Sequence, residues 1–397
     1  MRTIGIIAEY NPFHSGHRHH IAQVREVFGR ECAVAAVMSG NWVQRGDAAV
    51  ADKWTRAALA LEEGVDLVIE LPALWSAASA EAFARGGVSL LEATGCVDVL
   101  SFGSEAGTLS PLEAAADCLA SEAWRTELRK ALDQGLPFPA ARQAAAEAII
   151  GPEAACLSTP NNNLGIEYLR AIRETGSILR PHTLPRLGAG HDQDGGQNAL
   201  HLSASALRDR LLADDSASLA PYLSSEAEAV LRRAPASLSF CTQGVLAKLR
   251  TMEASDFAML PDCGEGLSNK LRDAARQART LDELYGLVKS KRYTLARIRR
   301  LVLWAFLGLK ECDRPDRPPY LRVLGFTKRG QRVLREMKSS AALPVLVKPA
   351  HAKRLEGSAR QVFDLEARST GLYELCRRPF GREAGLNEYT KGPVRKH

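Results

Sequence analysis

Apolar residues in this chain first come in short, β-branched bursts separated by longer amphipathic stretches. Thr3–Ala8 is a compact apolar run that reads as a buried strand, and Gly16–Phe28 reads as the helix after it. The alternation continues with a strand over Cys32–Met38, a helix over Asp52–Glu63, a strand over Asp66–Leu71, a helix over Ser76–Ala93 and a strand over Val97–Phe102. Asp52 is placed to cap its helix and Gly64 to stop it. Short apolar strands alternating with helices predict βαβ units and a parallel sheet. Helices are expected over Pro111–Gln134, Ala140–Ile150 and Asn162–Thr175, then a fifth strand over Ile178–Leu184. The Gly- and Asp-rich stretch Gly188–Gln197 reads as a loop, and Ser203 or Ser205 as the cap of a further helix.

From about Leu219 the strand-like bursts give way to helical periodicity rich in Arg and Lys. Two domains, 1–218 and 219–397, are therefore expected for the 397 residues. Within the second, Tyr320–Phe326 and Leu343–Val347 read as short strands of a small α/β tail.

Charge sharpens that division. Of the net +6, residues 270–397 hold 30 Lys+Arg against 13 Asp+Glu, a local +17, while residues 1–269 carry −11. A basic half beside an acidic half predicts a polyanionic partner, nucleic acid above all. Lys289, Lys291, Arg292, Arg297, Arg299 and Arg300, with Tyr293 among them, suit an RNA backbone plus a stacked base. The 46% hydrophobic content suffices for a sizeable core. No apolar run approaches the roughly 18 residues of a membrane span. The chain enters a strand with no basic-then-apolar leader, and its eight scattered cysteines include no CxxC pair. A cytoplasmic protein with reduced thiols and no zinc ribbon is expected.

The chemistry concentrates where the first strand ends, in GIIAEYNPFHSGHRHHI, Gly5 to Ile21. In an open parallel sheet, ligands bind outside the carboxyl ends of the strands. His14 and His17 stand there, beside a helix N-terminus that favours anions. Gly16 admits close backbone approach and Pro12 fixes the turn. Two imidazoles, a glycine and a helix N-terminus make a phosphate site. Arg18, His19 and His20 read as helix surface. The four histidines lack a third ligand at metal spacing, so no metal site is expected.

His-x-Gly-His after a first strand resembles the signature of the HIGH-type nucleotidyltransferase superfamily. GIIAEYNPFHSGH, MSGNWVQRGDAAVADKWTRA, DLVIELP, FGSE, PNNNLGIEYL and SASALR, in that order, resemble the tRNA(Met) cytidine acetate ligase family, and GEGLSNKL, KSKRYTLARIRRL and YLRVLGFTKRG extend the likeness over nearly the whole chain. The resemblance implies a Rossmann-like α/β nucleotidyltransferase domain followed by a mainly helical, basic, tRNA-binding region. It implies formation of acetyl-adenylate from acetate and ATP, Mg²⁺ accompanying the triphosphate, and acetyl transfer to N4 of the wobble cytidine of elongator tRNA(Met). His14, His17 and Arg208 would be catalytic. Nucleotide contacts would come from Ile7, Ala8, Glu9, Tyr10, Asn11, Pro12, Phe13, His14, Ser15, Gly16, His17, Arg18, His19 and His20. Further contacts would come from Gly103, Asn161 or Asn162, Arg186, Leu187, Ser203, Ser205 and Arg208. One asparagine of PNNN is also expected to cap its helix. Gln44 and Arg45 could line an acetate or cytidine pocket. Ser15 stands where the family usually has Asn, and His191 lacks the aromatic usual before it. A small-molecule adenylyltransferase, which needs no basic half, and a catalytically silent RNA-binding protein are the competing readings.

Overall fold

The computed structural model describes residues 1–186, 202–213, 217–264, 266–379 and 387–396. The first half follows the expected alternation. β1 (Thr3–Ala8) leads to α1 (Ser15–Phe28) and β2 (Ala33–Ser39), and a short hairpin of β3 (Trp42–Val43) and β4 (Asp47–Ala48) precedes α2 (Lys53–Glu62). β5 (Leu67–Leu71), α3 (Ala73–Ser76), α4 (Ala80–Ala93) and β6 (Val99–Ser104) follow. Next come α5 (Ser110–Ala120), α6 (Glu122–Asp133), α7 (Phe138–Ile150), α8 (Pro160–Thr175), β7 (Arg180–Pro185) and α9 (Ala204–Leu212).

Two helices expected as single pieces are broken, each by a serine. Ser79 caps α4 by accepting from Ala82 N, which splits the Ser76–Ala93 stretch. Ser121 accepts from Trp124 N and divides α5 from α6. Hydroxyls satisfy the first amides of a new helix more cheaply than they sit mid-helix.

The second half contributes α10 (Ser225–Arg233), α11 (Thr242–Arg250), α12 (Ala254–Ala258), α13 (Leu267–Gln277), α14 (Leu281–Val288) and α15 (Leu295–Leu307). The chain then runs through β8 (Leu321–Phe326), α16 (Lys328–Ser340), β9 (Val345–Leu346), α17 (Gly357–Tyr373), α18 (Asn387–Thr390) and β10 (Val394–Arg395). The expected small α/β tail is not separate. β8 pairs antiparallel with β5, β10 and β9 pair with β8, and the sheet runs β10-β8-β5-β2-β1-β6-β7. Strands from both sides of residue 219 thus share one sheet. Without β8, β5 would be an open edge of an apolar parallel sheet, which folded proteins avoid.

β1 pairs in parallel with β2 on one side and β6 on the other. The chain winds away from β1 in both directions, so a topological switch point opens at the carboxyl ends of β1 and β6. Alternation along β1 fills both layers. Ile4 and Ile6 pack with Ile21, Val24, Trp54 and Ala57, whereas Ile7 joins Phe83, Val88 and Leu91 on the other face. Among the described residues no helix is long and apolar enough to cross a membrane.

Candidate functional site

A cleft of about 520 Å³ opens at that switch point. Its centre is the turn from β1 into α1. Tyr10 takes a left-handed φ of 46°, and its buried ring packs on Phe13 and His17 at centroid distances of 4.9 and 5.0 Å. Such a conformation costs a non-glycine residue about 1–3 kcal/mol, and the aromatic packing holds it in place.

The two histidines cap α1 reciprocally. His14 Nδ1 accepts from Gly16 N at 3.1 Å, and His17 Nδ1 accepts from His14 N at 3.3 Å. An Nδ1 that accepts a backbone N–H must be the bare nitrogen, so the network assigns Nε2–H as the donor of each neutral ring. Burial holds the His17 pKa well below 6.5, helped by His14, Arg186 and His20. At neutral pH the site therefore offers neutral N–H donors at a helix N-terminus. Such donors at a helix N-terminus suit phosphate oxygens, since they do not compete for their protons.

The remaining walls carry further donors. Arg208 Nη1 donates to Asn11 O at 2.7 Å and Nη2 to Ser205 Oγ at 3.0 Å, which ties α9 to the β1 turn. Ser203 caps α9 by accepting from Ala206 N. Arg186 Nη1 donates to Asn161 Oδ1 at 3.1 Å. None of the three asparagines of PNNN caps α8, whose N-cap position is Thr159. Glu105 reaches across instead, accepting from Asn161 N, Asn161 Nδ2 and Asn162 N. A carboxylate from the end of β6 is the stronger partner for a helix N-terminus. Asn162 is buried and its Oδ1 accepts from Ala106 N, so it shapes the loop while Asn161 faces the cleft.

Underneath lies Arg56, fully buried. Its guanidinium donates to the carbonyls of Ala51, Glu9 and Ser39 at 2.8, 2.6 and 3.0 Å, and also to Gly40. One side chain thus fixes the carboxyl ends of β1 and β2 and the start of α2. Beside it, Asp52 caps α2 as expected, with Gly64 following at φ 108°.

A model of the HIGH nucleotidyl transferase family matches residues 1–386. The tRNA(Met) cytidine acetate ligase of Syntrophomonas wolfei is 37% identical, with 99% of each chain covered. That of Bacillus subtilis is 33% identical, covering all of this chain and 97% of its own. This chain belongs to the tRNA(Met) cytidine acetate ligase family. A crystal structure of Thermotoga maritima TmcAL bound with alpha-thio ATP superposes with a TM-score of 0.90 at 30% identity, over 100% of this chain and 99% of that one. The fold of this family member is thus the Rossmann-like nucleotidyltransferase sheet with a basic helical region after it.

Sixteen of the residues singled out from the family motifs line the cleft: Ile7, Ala8, Glu9, Tyr10, Asn11, His14, Gly16, His17, His19, His20, Gly103, Asn161, Arg186, Ser203, Ser205 and Arg208. Pro12, Phe13 and Ser15 build the turn from behind. Arg18 points away and forks onto Glu63 at 2.6 and 2.7 Å. Leu187 and His191 lie outside the described residues.

His20 is not helix surface. Its Nε2 lies 2.9 Å from Ser101 Oγ, which lies 3.1 Å from His182 Nδ1, so the ring is turned onto β6 and lines the cleft. It sits three residues after His17, on the same face of α1, and that face packs on the sheet. Burial lowers its pKa to about 4, from 6.5. Because the unfolded chain binds this proton and the folded chain does not, stability should be full above pH 6.5 and decline as pH falls towards 4. Thermal melts of His20→Asn and the parent across that window should show a shallower acid decline for the variant.

Tyr293 is also not a stacking platform. Its ring is buried, with Lys270 Nζ and Arg297 Cζ each 5.7 Å from the centroid. Lys289, Lys291 and Arg292, in the α14–α15 loop, are exposed. Sequence reasoning missed Arg56, Tyr168 and Phe83. Each reads as an ordinary helix residue, and only tertiary packing brings Tyr168 and Phe83 to the cleft wall and Arg56 beneath it.

Proposed function

We propose that the cleft activates acetate with ATP and then passes the acetyl group to N4 of the wobble cytidine of elongator tRNA(Met). The observation that carries this reading is the pair of neutral, Nε2-donating histidines at the N-terminus of α1, opposite Arg208 and Ser205. In this reading the triphosphate lies along His14, His17, Ser205 and Arg208, with the nucleoside towards Gly103, Asn161 and Arg186. An acetate oxygen attacks the α-phosphorus in line, a phosphorus–oxygen bond forms, and pyrophosphate leaves. Little covalent work falls to the protein, so positioning and charge stabilisation dominate.

The cleft carboxylates among the described residues are Glu9 and Glu105, and Glu105 is committed to α8. Among the described residues the cleft therefore presents no carboxylate cage for Mg²⁺. The three carboxylates that do converge, Glu70, Glu366 and Glu388, are buried around Lys53, away from the cleft lining.

Residues 1–218 supply the ATP cleft in this proposal, and the +17 segment holds the tRNA backbone in the cytoplasm. Incubation of the protein with radiolabelled acetate, ATP and bulk tRNA should place label in tRNA as N4-acetylcytidine by nucleoside mass analysis, with one pyrophosphate released per acetyl group. Pyrophosphate release without labelled tRNA, and no mobility shift with tRNA, would favour a small-molecule adenylyltransferase. A mobility shift without pyrophosphate release would favour a silent RNA-binding protein.

A further inference from the structure

The phosphate site formed by His14, His17, Ser205 and Arg208 leaves three polar groups of the cleft unused. Glu9 follows β1, and its Oε1 accepts from Gln44 N at 2.8 Å. Gln44 sits in the β3–β4 hairpin, and its Nε2 is buried without a hydrogen-bond partner. Tyr168, on α8, is 2% exposed, lines the same cleft, and its hydroxyl is likewise buried without a partner. A buried donor with nothing to bond costs about 1–3 kcal/mol, so two of them in one cleft point to a ligand that satisfies both.

The set contains one anionic acceptor and two donors. Among nucleobases, cytosine presents the matching edge in full: the N4 amino group donates, while N3 and O2 accept. Uracil turns an oxygen towards the carboxylate and an N–H towards a donor. Adenine offers no third polar group, and guanine reverses the pattern. A second carboxylate, such as acetate, would be repelled by Glu9.

The surroundings agree with a base arriving from the tRNA-binding half. The hairpin carrying Gln44 rests on α15 at Gly46, where an added Cβ would meet the backbone of Arg299 and Arg300 at 2.5 Å. The hairpin is thus seated directly on the basic region. The apolar side chains of Ile7, Phe83 and Phe102 complete the cleft wall near Tyr168 and suit the flat faces of a base taken out of its stack.

We propose that Glu9, Gln44 and Tyr168 form the cytosine pocket of the acetyl-transfer step, with Glu9 accepting from N4 and taking its proton. This deepens the functional reading above and rests on it. The N4 nitrogen attacks the acetyl carbonyl carbon of acetyl-adenylate and forms the C–N bond. The C–O bond to the phosphate breaks, AMP leaves with that electron pair, and the N4 proton passes to the Glu9 carboxylate. Gln44 and Tyr168 fix the base through N3 and O2 and reject uridine.

The test separates the two half-reactions in the full chain. Acetate-dependent exchange of pyrophosphate into ATP reports activation. Single-turnover transfer from the preformed adenylate to tRNA reports the second step. Glu9→Gln should slow transfer by about 10²–10³-fold, at least tenfold more than it slows exchange. Tyr168→Phe removes a buried hydroxyl that has no partner, so it should melt no lower than the parent while slowing transfer about tenfold or more. It should also narrow the preference for C34 over U34 in tRNA transcripts. Equal losses in exchange and transfer for Glu9→Gln, or Tyr168→Phe transferring at the parental rate with parental C34 preference, would overturn the pocket. Absence of exchange in the parent protein would instead overturn the underlying activity.

Discussion

His17→Ala is expected to lower acetate-dependent pyrophosphate release by about 10²–10³-fold, the usual cost of losing one preorganised donor aimed at developing charge. The ring has two bonds to lose. Its Nδ1 accepts from His14 N, and its Nε2–H is the donor assigned to phosphate. His17→Gln keeps an N–H donor of similar reach and should recover part of the loss, because the proposed role is charge stabilisation and not proton transfer. The pH profile carries the same message. Burial holds the His17 pKa well below 6.5, so activation should show no inflection near 6.5 from this group. An alanine variant at parental rate would remove His17 from the site. His14→Ala should cost helix stability as well, about 1 kcal/mol, because its Nδ1 is also the α1 cap.

The largest effect on stability is expected at Lys53. The side chain is fully buried, with Nζ 2.5 Å from Glu70 and 3.6 Å from Glu366, and it is also paired with Glu388. Arg322 stands 3.9 Å from Glu388. Two cations and three carboxyl groups balance only if one carboxyl keeps its proton. Burial pushes Glu70 well above the usual carboxylate range, which makes it the neutral member. Lys53→Met leaves two buried carboxylates short of a counter-charge and should destabilise by about 3–5 kcal/mol in denaturant unfolding. Glu70→Gln keeps the shape and removes no charge, so its midpoint should stay close to the parent. A large loss for Glu70→Gln, or none for Lys53→Met, would contradict this charge assignment.

Lys53 also links the second half of the chain to the cleft. Its backbone N donates to Asn41 Oδ1, Asn41 Nδ2 donates to Thr370, and Thr370 donates to Glu388. The segment holding Gln44 is therefore anchored through residues on α17 and α18. Loss of this cluster should loosen the hairpin that meets the basic second half.

The sequence by itself determined what depends on neighbours a few residues apart. The strand–turn–helix at His14–His17, the Asp52 cap and the Ser203 cap were all legible, because a cap bond closes within three residues. The parallel sheet was legible too, because buried strands must be apolar on both faces. Tertiary structure alone decided what depends on which distant segment arrives. It turned His20 onto Ser101, drew Tyr293 into the core, set Arg56 beneath the cleft, and brought β8 back onto β5 and β10 onto β8. Burial of a charged or aromatic side chain is set by its partners. Those of Lys53 at Glu366 and Glu388 lie more than three hundred positions along the chain, where no local pattern announces them.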